Sequence, residues 1–393
     1  MKTDPKIPGV IVIGDHVQGL GIIRSLGKRQ IPIYLVHEKK LCIGRFSKYL
    51  RKFIKSPKIS DHTNYLSFMI EIAKKYNLFG FILMPTNDAA VYMLSKNKEM
   101  LEEYYKIPTP SFEIIDFAYN KKLTILLAEK NNIPVPFTFY PKNSEEISAT
   151  PLNIKYPVII KGIVGHEFYK KTGVKTFKAN SKEELIESFK KIEYILDSSQ
   201  IMVQEVIPGD TELMYSFCSF FKDGEIIGWW TGRKIRSHPM DFGTGTFAKS
   251  VYEPRLLELG KLLLNSMNYY GVSEIEFKLD PRDGKFKLIE MNARTWLWHS
   301  LAARCGIDFP YILYCDMTGK QIQNSNNFND EIAWIHLYTD IAVAWSSILK
   351  NDMKLKDYIS SLKCKKEFAV LSLDDPLPFI IETLILPYLW MTR

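Results

Sequence analysis

Two carboxylates stand at matching places in residues 271–298, which read GVSEIEFKLDPRDGKFKLIEMNARTWLW. Turn-forming residues at 281–284 separate two alternating runs, and this arrangement predicts a β-hairpin. A turn centred on Asp283 sets Glu276 opposite Glu290, with their Cβ atoms about 5 Å apart. This register also places four apolar residues together on a predicted core face, namely Ile275, Phe277, Ile289 and Met291.

Facing acids repel each other unless positive charge lies between them. Hard cations are the obvious neutralising partners, because Mg²⁺ in proteins takes one or two carboxylates together with substrate phosphates. The alternative is an exposed antiparallel pair whose acids face water, with Lys278 partly neutralising them. The hairpin by itself leaves both interpretations open.

Basic side chains occur at strand and helix ends upstream of this hairpin. Lys161 closes an apolar strand over 157–160, and residues 162–173 follow it as a predicted mobile loop. Lys121 lies near the start of a predicted helix over 119–131. Further along, Arg233 belongs to a basic run with Lys234 and Arg236, which predicts either a site for phosphate or a substrate carboxylate, or an exposed basic strand.

The pattern E-F-K…L-I-E-M-N-A-R resembles the metal-binding strands of ATP-grasp enzymes, which are carboxylate–amine ligases and their relatives. The resemblance implies that Glu276, Glu290 and Asn292 hold Mg²⁺, or Mn²⁺, on the phosphates of ATP. It also implies that Arg294 contacts the phosphoryl group or an acyl-phosphate intermediate. Lys278 and Arg233 are further catalytic candidates in this interpretation.

Three upstream segments resemble the same family in the expected order. The resemblance implies that Lys121 and Lys161 contact ATP phosphates, and that the Q-E-V-I-P-G segment is the hinge that receives adenine. Residues 162–173 carry Glu167-Phe168-Tyr169 where small residues are common, which is similar to the D-aspartate-ligase-like branch and leaves Lys171 or Lys175 to supply charge. The implied nucleotide-binding set is Lys121, Lys161, Lys175, Glu205, Val206, Ile207 and Glu212.

The order of predicted elements indicates an α/β (α+β) chain with several units. A βαβ pattern with Gly14, Gly19 and Gly21 predicts a Rossmann-like domain over 1–111, although the glycine spacing does not favour NAD. Asp88 after the strand at 79–85 is either a substrate ligand or a helix N-cap. The resemblance implies that an ATP-grasp fold of two α+β subdomains follows, at 112–208 and 209–322, and residues 323–393 form a C-terminal extension.

Composition sets the broad class of the protein. The 393 residues are 46% apolar and carry a net charge of +8, but the basic residues are dispersed and no nucleic-acid-binding signature occurs. Five cysteines without paired spacing argue against a disulfide framework or a zinc site and favour the cytoplasm. No signal peptide and no membrane span are expected, and residues 379–391 are interpreted as a docking helix or partner face in preference to a membrane anchor.

The resemblance implies an ADP-forming ligase that activates a carboxylate, such as an amino acid, as an acyl phosphate and joins it to an amine. Its cofactors would be ATP and Mg²⁺ or Mn²⁺. Its partners would be small carboxylate and amine substrates or a peptide or cell-surface precursor, and a homodimer is an open possibility. An ATP-grasp enzyme of another reaction type, by phosphotransfer or carboxylation, and a non-catalytic nucleotide-binding module are the alternatives.

Overall fold

A computed structural model describes residues 7–149, 154–238, 243–322 and 327–391, with side chains described as far as residue 386. Three β-sheets make up the framework of these residues, with four, four and seven strands. The predicted α/β (α+β) class is confirmed. The predicted boundary at residue 323 lies outside the described residues.

The first sheet is parallel and has the strand order β3-β2-β1-β4. Its central strand is buried on both faces, which explains its continuous apolar sequence. Helices cover both faces, as in Rossmann-like folds. The elements are β1 (Val10–Ile13), α1 (Val17–Gly27), β2 (Ile33–His37), β3 (Lys52–Lys55), α2 (His62–Tyr76), β4 (Ile82–Pro85), α3 (Asp88–Lys96) and α4 (Lys98–Glu102).

Two short helices connect this sheet to the next one, α5 (Phe112–Tyr119) and α6 (Lys121–Lys130). The prediction of one helix over 119–131 was therefore wrong at its start. Asn120 separates the two helices, because its backbone is extended and its side chain accepts hydrogen bonds from the N–H groups of Lys122 and Leu123. This cap makes Lys121 the first residue of α6.

The second sheet is antiparallel and has the order β5-β8-β6-β7. Its elements are β5 (Thr138–Phe139), α7 (Ser144–Ala149), β6 (Val158–Gly162), α8 (Gly165–Thr172), β7 (Thr176–Ala179), α9 (Lys182–Glu193) and β8 (Ile201–Glu205). The predicted loop over 162–173 is thus mostly helix. Phe168 explains the difference, because it is buried against the sheet core and anchors one face of α8.

The third sheet has the order β13-β12-β9-β10-β11-β14-β15, so two strands from beyond residue 327 complete one of its edges. The predicted helix over 296–305 is shorter in the structure and begins at His299. The elements are β9 (Met214–Lys222), β10 (Glu225–His238), β11 (Thr244–Ser250), α10 (Arg255–Ser266), β12 (Gly271–Leu279), β13 (Phe286–Asn292), α11 (His299–Arg304), α12 (Phe309–Thr318), β14 (Ile332–Ile335), α13 (Leu337–Leu349), α14 (Leu355–Ser361), β15 (Lys365–Phe368) and α15 (Leu377–Met391).

The predicted hairpin is formed by β12 and β13, and Glu276 pairs directly with Glu290. A β-bulge follows, since Phe277 pairs with Leu288 and leaves Ile289 as an extra residue. The prediction that Ile289 belongs to the core was therefore wrong. The bulge turns Leu288 into the core and leaves Ile289 facing the cleft between the second and third sheets.

Within the described residues, no helix is both long enough and apolar enough to span a membrane.

Candidate functional site

A cleft of about 1290 Å³ lies between the second and third sheets and extends to the first. Every predicted site residue except Arg233 lines it. These residues come from segments far apart in the chain, namely the start of α6, the strands β6 and β8, the hinge after β8, and the hairpin. The fold therefore assembles the predicted set into one place.

Each of the two facing carboxylates forms an ion pair with a lysine. Lys121 Nζ lies 2.6 Å from Glu290 Oε2, and Lys234 Nζ lies 2.8 Å from Glu276 Oε1. The positive charge of Lys121 holds the pKa of Glu290 far below its usual range, despite burial. Burial alone would lower the pKa of Lys234, but the charges of Glu276 and Glu274 more than offset it and raise that pKa to about 12. Each of the two facing carboxylates is thus paired with a lysine.

Glu274 is a buried acid on the same strand that the sequence analysis did not identify. Ser216 Oγ donates to it over 2.8 Å, and Asn292 Nδ2 donates to it over 3.0 Å. Burial, with the charge of Glu276, raises its pKa to about 8. The sequence could have identified Glu274, because residues two positions apart in a strand lie on the same face and Glu274 is two positions from Glu276.

Lys161 projects from β6 into the cleft, and its Nζ donates to Gln204 Oε1 over 2.8 Å. Burial, together with the charge of Lys121, lowers its pKa to about 7. The N-terminus of α8 lies at the same end of the cleft, where Gly165 approaches the Lys121 side chain. The residue before α8, Val164, gives no side-chain cap to the helix N–H groups. Such an end favours anions.

The segment after β8 lines the other end of the cleft. Val206 N–H already donates to Pro157 O, and the Glu205 carboxylate accepts from Arg282 over 3.2 Å. Lys278 Nζ donates to the carbonyl oxygens of Ile207 and Gly209, both over 2.8 Å. The structure therefore places Lys278 at this hinge and not beside the two facing acids.

Arg294 reaches from the third sheet to the first. Its Nε lies 2.6 Å from Asp88 Oδ1, and its second terminal nitrogen donates to Asn292 Oδ1 over 3.1 Å. Asp88 is therefore part of the cleft, and the cap of α3 is Asn87, whose side chain accepts from Ala90 N–H. This contact joins residues 206 positions apart in the chain.

Arg233 and Lys175 are less closely tied to the centre. Arg233 lies beside Glu212, with 3.9 Å between the nearest charged atoms, and its buried Nε has no hydrogen-bond partner among the described residues. Lys175 precedes β7 and lines the cleft near α8. Arg236, which belongs to the same basic run as Arg233, donates two hydrogen bonds of 2.8 Å to Asp340.

The donor set of the hairpin fits a hard divalent cation. Glu276, Glu290 and Asn292 offer oxygen atoms at one end of the cleft, beside the lysines described above. In the described ranges, no group of three or more His, Cys, Asp and Glu side chains could hold a metal ion by itself. A cation at the hairpin would therefore take further oxygen ligands from a bound molecule.

No protein-family profile matches the chain. It is 22% identical over 301 residues to the D-aspartate ligase of Enterococcus faecium (strain Aus0004), covering 72% of this chain and 70% of that protein. The L-amino acid ligase of Bacillus licheniformis superposes with a TM-score of 0.61 at 16% identity, over 79% of this chain and 74% of the other.

A third similar structure is the biotin carboxylase domain dimer of the Hydrogenobacter thermophilus 2-oxoglutarate carboxylase, solved with MgADP, ADP and bicarbonate. Its TM-score is 0.64 at 16% identity, over 82% of this chain and 72% of the other. The chain therefore has the ATP-grasp fold, preceded by a Rossmann-like sheet. In sequence it is similar to a D-aspartate ligase, and in fold it is similar to an L-amino acid ligase.

Proposed function

We propose that this protein is an ATP- and Mg²⁺-dependent ligase that joins a carboxylate to an amine and releases ADP and phosphate. The observation that carries the proposal is the cross-strand pair of Glu276 and Glu290, each neutralised by a cleft lysine. The similarity to D-aspartate ligase and to an L-amino acid ligase supports an amino acid as one substrate.

The nucleotide would lie along the cleft from the hinge to the hairpin. Adenine would contact the backbone near Ile207, because Val206 N–H already donates to Pro157 O. Lys278 would fix this backbone through the carbonyls of Ile207 and Gly209, and Glu212 would accept hydrogen bonds from ribose hydroxyls.

The triphosphate would meet Lys121, Lys161 and the N-terminus of α8, with Lys175 close to the same helix. Lys121 would then move from Glu290 towards phosphate and free that carboxylate. Glu276, Glu290 and Asn292 would hold Mg²⁺. When bound, the ion would neutralise phosphate charge and orient the oxygens for transfer.

The reaction would proceed in two balanced steps. A substrate carboxylate oxygen attacks the γ-phosphorus and ADP leaves, giving an acyl phosphate. The amine then attacks the acyl carbon, phosphate leaves, and the amine nitrogen loses a proton. Arg294, held by Asp88 and Asn292, would stabilise charge on the transferring phosphoryl group. Residues of α8 would limit the access of water to the intermediate.

The test is ADP and phosphate release from ATP and Mg²⁺ with pools of amino acids and other carboxylates, each with and without amine acceptors. The ligase proposal expects release that requires both substrates. Hydroxylamine should replace the amine and trap the activated carboxylate as a hydroxamate.

Two results would contradict the proposal. Release that needs a carboxylate but gives no amide with any amine would indicate another reaction type. Tight binding of MgATP without turnover in any pool, and without hydroxamate, would indicate a nucleotide-binding module.

A further inference from the structure

Helix α13 carries a row of large apolar side chains on the side that faces away from the third sheet. Ile341, Trp345 and Leu349 recur at every fourth position and are 47%, 61% and 67% exposed. The opposite side of α13 is buried, through Asp340, Val343, Ala344 and Ser347. Packing against the sheet therefore does not explain the outer row.

Helix α15 packs beside α13 and adds further exposed apolar side chains to this row. The ring of Tyr338, at the start of α13, stacks on Phe379 with 5.4 Å between centroids, and its hydroxyl lies 2.6 Å from Thr383 Oγ1. Ile380 and Leu384 of α15 are 50% and 69% exposed. We call the outer sides of α13 and α15 the C-terminal apolar face, made of Ile341, Trp345, Leu349, Ile380 and Leu384.

Lysines surround the end of this face. Residues 341–366 contain six lysines and two aspartates. Lys350 follows Leu349 directly, Lys354 and Lys356 come a few residues later, and all three are exposed. Within the described part of the chain, none of these three has a carboxylate oxygen within 4.0 Å, whereas the cleft lysines Lys121 and Lys234 do. These three lysines are therefore not held in ion pairs with described residues, and the segment has more lysines than aspartates.

We propose that the C-terminal apolar face docks on the surface of an anionic lipid membrane, without crossing it. Exposed leucine, isoleucine and tryptophan side chains enter the boundary between headgroups and acyl chains, while lysines stretch to lipid phosphates. A second copy of the chain is a poorer partner. A two-fold interface places the same patch on both subunits, and it would bring lysine-edged surfaces together.

The test uses the purified full-length protein and vesicles of phosphatidylcholine, with or without phosphatidylglycerol, in a flotation assay. The protein should float with the anionic vesicles and not with the neutral ones. Binding should fall severalfold as salt rises from about 0.1 to 0.5 M, because the lysine contribution is screened. For the double variant Trp345→Ser/Leu349→Ser, the partition coefficient between vesicles and water should be at least about tenfold lower than for the wild type.

A matched control is available on α9 and the turn after it. Tyr194 and Ile195 are 90% and 51% exposed and follow Lys190 and Lys191, but they lack the fourfold-spaced row. Tyr194→Ser/Ile195→Ser should bind vesicles as the wild type does. The charge reversal Lys350→Glu/Lys354→Glu leaves the apolar row intact and should abolish the preference for anionic lipid.

Three outcomes would overturn the proposal. One is failure of the wild type to float with anionic vesicles. Another is an equal loss of binding in the control variant on α9. The third is a concentration-dependent dimer, seen by analytical ultracentrifugation, that the Trp345→Ser/Leu349→Ser change disrupts while vesicles do not bind. This test is independent of the proposed ligase activity.

Discussion

Substitution of Glu290 is the most direct test of how charge in the cleft affects turnover. Glu290→Gln keeps the size of the side chain but removes the partner of Lys121 and the charged oxygen that we propose as a ligand for Mg²⁺. We expect turnover to fall roughly 100-fold or more, while the dissociation constant for ATP changes only a few-fold. Steady-state ADP release and calorimetric ATP titration measure the two quantities.

Glu258→Gln is the matched control, since Glu258 is an exposed glutamate on α10 outside the cleft. It should leave both turnover and affinity unchanged. Near-normal turnover of Glu290→Gln would remove Glu290 from the metal site.

We expect Lys161 to make the proposed nucleotide binding depend on pH. Its pKa is lowered to about 7 by burial and by Lys121, so its amine is charged below pH 7 and increasingly neutral above it. Phosphate favours the charged form, and binding therefore takes up a proton at higher pH. We expect ATP affinity to weaken by up to about tenfold per pH unit between pH 7 and 9.

Lys161→Met removes this titrating group and should give weaker binding that varies less with pH over this range, the remaining dependence being that of Glu274, whose pKa is raised to about 8. Calorimetry in buffers of different ionisation enthalpy reports the proton uptake directly. A wild-type affinity that is flat from pH 7 to 9, or a pH profile retained by Lys161→Met, would contradict this assignment.

The positions of some cleft residues can be predicted from the sequence, and those of others cannot. The pairing of Glu276 with Glu290 was predicted from a turn centred on Asp283 and from alternation, but in the structure it depends on the bulge between Leu288 and Glu290, which shifts the register by one residue. The lysines that pair with these acids do not follow from local rules, because they contact the acids across 169 and 42 residues of chain. Lys278 was predicted either to neutralise the two acids in part or to be a catalytic residue, whereas its long side chain donates to the carbonyl oxygens of Ile207 and Gly209.

At the scale of elements, Asn120 determines where Lys121 stands, because it ends α5 and caps α6. Asn120→Ala removes the acceptor for two helix N–H groups. We expect the free energy of unfolding to fall by about 1 kcal/mol and ATP affinity to weaken, since Lys121 is the first residue of the frayed turn. Urea unfolding and ATP titration measure these effects.

Asn120→Asp is the control, because an aspartate caps a helix about as well as asparagine. It should retain both stability and ATP affinity. If Asn120→Ala were as stable as Asn120→Asp, the cap would not define this helix start.

Two elements deviate from simple periodicity for physical reasons. The bulge that exposes Ile289 inserts one residue into β13, and a pattern of alternating residues cannot show on which side of the insertion each residue lies. Helix α8 lies between Gly162 and Gly173, and this composition is typical of loops. Its formation depends on the burial of Phe168 against another segment, a tertiary contact that local sequence does not encode.

At the scale of the whole molecule, residues beyond 327 are integrated with the rest. Strands β14 and β15 complete the third sheet, and buried Asp375 accepts hydrogen bonds from Arg24 and from Ser47 Oγ of the first sheet's layer. The sequence analysis did not predict strands β14 and β15, because the pairing between β11 and β14 spans about 85 residues of chain and local patterns do not show such contacts.

The buried ion pair between Arg236 of β10 and Asp340 of α13 tests this integration. Both side chains are almost fully buried, and Asp340 accepts two hydrogen bonds from Arg236 and one from Thr246. Asp340→Leu leaves an uncompensated charge on Arg236, so we expect the free energy of unfolding to fall by about 3–5 kcal/mol. Arg236→Met combined with Asp340→Leu removes both charges and should recover much of this loss in urea unfolding. A single variant that costs less than about 1 kcal/mol, or a double variant no more stable than the single one, would show that burial of the pair does not couple α13 to the sheet.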